Sequence, residues 1–98
     1  MKEHFNQLSG AEAERLALLL EELGEAQQAI GKILRHGYES HHPDRLSTNR
    51  QELEKELGDI SAAIHILCER NKDLSSFNIA MARDEKILKV AKYMHHQD

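Results

Sequence analysis

Glu22-Leu23-Gly24-Glu25 and Glu56-Leu57-Gly58-Asp59 are near-copies of one another. In a helix each copy holds two carboxylates one turn apart, and the matched phase puts four acids at equivalent positions on two helices. That is the composition of a site for a hard divalent cation with oxygen ligands, and Mg²⁺ suits one completed by waters and a substrate phosphate. The correspondence runs beyond the acids, since Leu19 matches Leu53, Ala29 matches Ala63, Ile30 matches Ile64 and Ile33 matches Leu67. The repeat spans about four helical turns.

Acids on a helix are ordinarily solvated and balanced by Lys or Arg four residues on. Here Ala26, Ala29, Ile60 and Ala63 stand at the i+4 positions of Glu22, Glu25, Glu56 and Asp59. Four such acids facing one another would repel, and a cation removes the repulsion. On the helical wheel Glu22 lies at the edge of an apolar arc beside Leu18, Ala29 and Ile33, and Glu56 is flanked by Ile60, Ala63 and Leu67. Both are expected to be partly buried, where a carboxylate is costly unless it is protonated, paired or metal-bound.

The elements that position these residues follow from caps and periodicity. The first helix is expected to start after Ser9, with Glu12 closing a capping box, and to stop at His36 before Gly37. Its core face is read as Leu16, Leu19, Leu20, Leu23, Ala26, Ile30, Ile33 and Leu34. The segment from Gly37 to Ser47 holds the only proline, Pro43, and reads as a loop. A second helix begins near Thr48 or Asn49, with Gln51 or Glu52 as capping partner, and runs to about Glu69. A third opens at Ser75 or Ser76 and runs to about Met94. Residues 1 to 8 and the tail from His95 are expected to fray, with Phe5 and Leu8 able to dock on the bundle.

The expected architecture is all-α: a single domain over residues 1–98, with two long antiparallel helices and a third packed across them. The apolar stripe of the first helix is long for so few partners, which points to a homodimer with a four-helix core, or a tetramer. Gly24 and Gly58 each give up about 1 kcal/mol of helix propensity relative to alanine. Both project nearly opposite the carboxylates, as a close approach by another helix would require.

Composition sets further limits. With 13 basic and 17 acidic residues the net charge is −4, which argues against a polynucleotide surface. The single cysteine, Cys68, forms no intrachain disulfide and reads as a core thiol in a reduced compartment. No apolar run reaches the roughly 20 residues of a membrane span, and residues 1–10 lack the apolar stretch of a signal peptide, so a cytoplasmic protein is expected. The adjacent pairs His41-His42 and His95-His96 do not share a helical face and suit structural zinc poorly. A carboxylate-bridged di-iron site needs Glu-x-x-His, and neither Glu25 nor Glu56 has a histidine at i+3.

Glu21-Glu22-x-x-Glu25 followed by Glu56-x-x-Asp59 resembles the E-E-x-x-E and E-x-x-D signature of the MazG-like, all-α nucleoside triphosphate pyrophosphohydrolases, over residues 14 to 94. The resemblance implies hydrolysis between the α and β phosphates of a nucleotide, giving a monophosphate and pyrophosphate with Mg²⁺ as cofactor. It implies that Glu22, Glu25, Glu56 and Asp59 are the metal ligands and that Glu21 orients water. The family tends to carry K-x-x-x-N-x-x-R on the following helix. Here Lys86 is in place as a phosphate contact, whereas Val90 and Tyr93 replace the other two, with Lys89 and Lys92 nearby.

The residues themselves suggest further substrate contacts. Lys32 lies on the carboxylate side about two turns beyond Glu25, within reach of distal phosphates or else simply countering the helix dipole. Tyr38 offers a ring for base stacking or for packing. Asn49 is a substrate contact or, more simply, an N-cap. Two alternatives stand beside the leading reading: an enzyme acting on phosphoribosyl-ATP, and a non-catalytic helical interaction module whose acids meet a basic partner. A docking surface would spread its acids outward, whereas catalysis needs them convergent.

Overall fold

A computed structural model of the chain describes residues 6–97. In order, the elements are α1 (Gly10–His36), α2 (Asn49–Cys68), a short 3-10 turn (Glu69–Asn71) and α3 (Ser76–Val90), with no strand among the described residues. Phe5 lies outside those residues, and Leu8 is half-buried.

Each helix starts where its polar side chains can satisfy otherwise unpaired N–H groups. At α1 the Glu12 N–H donates to Ser9 Oγ at 3.1 Å and the Ser9 N–H donates to Glu12 Oε1 at 2.8 Å, a complete capping box. The helix stops at Gly37, whose φ of 89° no side-chain-bearing residue adopts easily. Thr48, rather than Asn49, caps α2: its Oγ1 accepts from the Gln51 N–H at 3.2 Å, and its own N–H donates to Gln51 Oε1 at 2.9 Å. Asn49 is instead the first residue of the helix and is buried. The remaining early donors of α2 are met by the loop, with the Asn49 N–H bonded to Ser40 O at 2.8 Å and the Arg50 N–H to Tyr38 O at 2.9 Å. At α3 the cap is Ser75, and the helix ends at Val90, short of the expected Met94. After α2, Arg70 and Asn71 both adopt positive φ, 56° and 53°, which turns the chain out of the helix.

The described residues form two compact units, one carrying α1 and α2 as far as Leu67 and the other running from Cys68 onward. In the first unit α1 and α2 pack antiparallel, as shown by Asn49 meeting Gly37 at one end while Asp59 and Glu56 meet Glu22 further along. Ala26, Ala29 and Ala63 are buried there together with Leu67, and the three small side chains let the two backbones come close.

This contact corrects the expected core face of α1. Leu16, Leu20, Leu23, Ile30 and Leu34 are exposed, Leu20 at 73% and Leu34 at 82%. Leu19, Ala26 and Ile33 of the expected face do pack against α2, joined by Glu22 and Ala29, and on α2 their counterparts are Leu53, Glu56, Ile60, Ala63 and Leu67. Apolar residues span about half the circumference of α1, and half of that arc suffices for α2. The repeated pattern thus marks the helix–helix contact, with Glu22 and Glu56 half-buried in it as expected. A Cβ added at Gly24 or Gly58 would meet nothing within 4 Å, so no other helix of the described chain approaches either glycine. No described helix is long and apolar enough to cross a membrane.

Candidate functional site

Centring Glu22 and Glu56 on facing helix surfaces brings their carboxylates together. Glu22, Glu56 and Asp59 each offer an oxygen within 4.8 Å of the others, and Glu21, Glu22 and Glu25 form a second such group. Glu22 belongs to both, so the two triads are one cluster hinged on a single carboxylate.

Two oxygens of this cluster, Glu22 Oε1 and Glu56 Oε1, are shut off from solvent and have no hydrogen-bond partner. Such orphaned acceptors are rare in folded proteins, because each forfeits its hydration without replacement. Electrostatics agree. The Glu22 carboxyl is held above its ordinary value of 4.5 first by loss of water, then by a hydrogen bond with Glu25 and by the negative charges of Glu25, Asp59 and Glu21. A hard cation with oxygen ligands would answer all of these, so the donor set fits a divalent metal of the Mg²⁺ kind.

One neighbour of the site has the opposite sign. Lys55 Nζ donates to Asp59 Oδ2 at 2.9 Å, which corrects the expectation that these acids lack a basic partner along the helix. The base lies four residues before Asp59, not after it, so a search in the i+4 direction alone passes over it. Asp59 in turn holds the Lys55 ammonium above its usual range, chiefly through that hydrogen bond.

Next to the acids, a cavity of about 130 Å³ is lined by Glu25, Gln28, Lys32, Asn49, Glu52 and Glu56 together with Ala29 and Arg45. Lys32 and Asn49, two of the candidate substrate contacts, therefore share a cavity with two of the candidate ligands. Asn49 is fixed there by its Nδ2 donating to Gly37 O at 3.1 Å. A larger cavity of about 320 Å³ adjoins it beneath the α1–α2 loop and shares Lys32, Arg45 and Asn49. Tyr38 lines neither. Its ring carries the Arg50 guanidinium at 4.3 Å, and Arg50 also donates through Nε and Nη2 to Glu39 at 3.0 and 2.8 Å. Lys86 stands exposed on α3, in the second unit.

Sequence does not single out Arg45, and it offers Glu52 only as a capping partner for α2, a role that Gln51 takes. Arg45 Nη1 lies 3.6 Å from Glu52 Oε1, and the Ser47 hydroxyl donates to Glu52 Oε2, so the loop is tied down onto the first turn of α2. Nothing in the local pattern of a loop arginine announces that it will face a cavity.

Residues 11–96 match the family model of the MazG nucleotide pyrophosphohydrolase domain. The chain belongs to the MazG family. No curated protein and no solved structure matches it. For a MazG-family chain, carboxylates converging beside a cationic cavity are what hydrolysis of a polyphosphate calls for: a cation to offset the charge at phosphorus, and fixed positive groups to hold the rest of the phosphate chain.

Proposed function

We propose that the protein is a Mg²⁺-dependent nucleoside triphosphate pyrophosphohydrolase that cleaves between the α and β phosphates. In this reading Glu22, Glu25, Glu56 and Asp59 hold the ion, which when bound supplies charge neutralisation at the phosphoryl oxygens and activation of water. Glu21, exposed at the rim of the cluster, orients the attacking water and takes its proton. The water oxygen forms a bond to the α phosphorus, the bridging bond to the β phosphate breaks, and its electron pair leaves with pyrophosphate. Lys32 meets the distal phosphates, and Asn49 offers a polar contact in the same cavity. Tyr38, occupied by Arg50, shapes the loop that roofs the larger cavity.

The observation that carries this reading is the convergence of Glu22, Glu56 and Asp59 with two orphaned oxygens among them. A surface for a basic protein partner would leave its acids spread and hydrated, so the same observation tells against the non-catalytic alternative. The test is pyrophosphate release from a nucleotide panel with and without Mg²⁺. Release that requires the metal and falls at least about 100-fold in Glu56→Gln is expected, since even groups that only support metal ligands cost 10- to 100-fold. Metal-independent turnover, or an undiminished variant, would contradict the ligand assignment.

We also propose that two copies associate through the exposed apolar face of α1. Leu16, Leu20, Leu23, Ile30 and Leu34 form a contiguous stripe there, and Gly24 leaves room for a close partner.

A further inference from the structure

We infer that the larger cavity under the α1–α2 loop is a pyrophosphate pocket that receives the distal phosphates of the substrate, leaving the base outside it. The inference deepens the proposed hydrolase reading and rests on it for the identity of the substrate.

The argument is one of charge along a line. The cavity of about 320 Å³ is lined by Lys32, Arg35 and Arg45, with His36, His41 and His42, and no carboxylate takes part in its lining. Lys32 and Arg35 make no salt bridge among the described residues, so two fixed cations of the pocket are uncompensated. The third, Arg45, is paired only loosely, 3.6 Å from Glu52, and Glu52 faces the neighbouring acidic cavity instead. Lys32, Arg45 and Asn49 line both cavities, so the sign of the potential reverses across these shared residues. A triphosphate matches that reversal: its α phosphate would sit against a cation held by the carboxylates, and its β and γ phosphates would cross to the arginines.

An uncharged base fits the same walls poorly. It would strip water from three fixed cations and return no charge to them, whereas a pyrophosphate group compensates each. Tyr38, the ring in this loop, does not line the pocket, and one face of it carries the Arg50 guanidinium. The pocket therefore selects for phosphate-chain length more than for base identity.

The test uses the full chain and inorganic pyrophosphate, titrated calorimetrically without divalent metal, alongside adenosine and cytidine. Pyrophosphate should bind, the nucleosides should not, and Arg35→Gln and Arg45→Gln should each weaken pyrophosphate about tenfold, as loss of one charge-assisted contact does. Arg35 has no ion pair to lose among the described residues, so its variant keeps the experiment readable if loosening the loop unfolds Arg45→Gln. Glu52→Gln separates charge from scaffolding: freeing Arg45 should tighten pyrophosphate, while a purely structural role for the Arg45–Glu52 pair would make it weaken. In turnover, the wild type should prefer a nucleoside triphosphate over the diphosphate by about tenfold or more, and Arg35→Gln should erase most of that preference through KM. Pyrophosphate affinity unchanged in both arginine variants, or nucleoside binding that falls with them, overturns the inference. An inactive wild type that still binds pyrophosphate in this way removes the hydrolase reading and leaves the pocket standing. An active enzyme whose chain-length preference is untouched does the reverse.

Discussion

Glu22 is the residue on which the site turns, because it alone belongs to both carboxylate groups. Its raised pKa has a consequence for stability that can be worked through in sign. A carboxyl whose value in the fold lies above its unfolded value binds protons more readily when folded, so its contribution is fully present below the unfolded value and is lost as pH rises through the folded one. Without metal, ionised Glu22 therefore burdens the fold near neutrality. Glu22→Gln is expected to melt higher than the wild type at pH 7 in the presence of a chelator, with the gap closing as pH falls toward 4.5. Thermal denaturation against pH measures this, and a variant that melts lower at pH 7 would mean the orphaned oxygen costs nothing. Added Mg²⁺ should reverse the order, since a ligand at a hundredfold excess over its Kd adds about 2.7 kcal/mol to the state that binds it. At this scale the acids were legible because a repeat wrote them twice. Lys55 was not, because it precedes Asp59, and Arg45 was not, because a loop carries no periodicity from which direction can be read.

Helix boundaries were the most legible feature at the scale of elements. Capping is decided within four residues, so Ser9 with Glu12 and Thr48 with Gln51 can be recognised without knowing what lies across the core. Ser9→Ala is expected to cost about 1 kcal/mol, seen as a fall in Tm of about 4–8 °C for a chain of this size. A Tm unchanged within error would show that α1 frays past its first turn in solution. Which face of α1 packs is legible only in part, for a reason that is equally physical. Leu19, Ala26 and Ile33 are on it as expected, but Leu20 and Leu34 are larger and more apolar than Ala29, and a hydrophobicity wheel weights them accordingly, yet close helix contact favours the small residue. The alanines had been marked by the repeat itself, in the match of Ala29 with Ala63.

For the whole molecule, charge and apolar surface are both unevenly spread. The candidate-site acids Glu21, Glu22, Glu25, Glu56 and Asp59 all lie in the α1–α2 unit, while Arg83, Lys86 and Lys89 on α3, with Lys92 just after it, outnumber Asp84 and Glu85 there. The leucines that the wheel assigned to the core are exposed, so the all-α architecture was legible from one chain's pattern whereas an apolar stripe left on the surface looked the same as the interior. Leu20→Glu combined with Leu34→Glu is expected to bring the solution mass measured by light scattering down to that of a single chain while retaining helix content, with the wild type running as a dimer or larger. A monomeric wild type would remove the proposed association and leave the stripe without a role.

Titration of Mn²⁺, as a paramagnetic stand-in for Mg²⁺, tests the convergence of the four carboxylates most directly, because it reads ligation without requiring turnover. Binding to the wild type that weakens by at least about 100-fold in Glu22→Gln, the one residue shared by both groups, is the predicted result. Equal Mn²⁺ affinity in the two proteins would contradict a shared metal centre between α1 and α2.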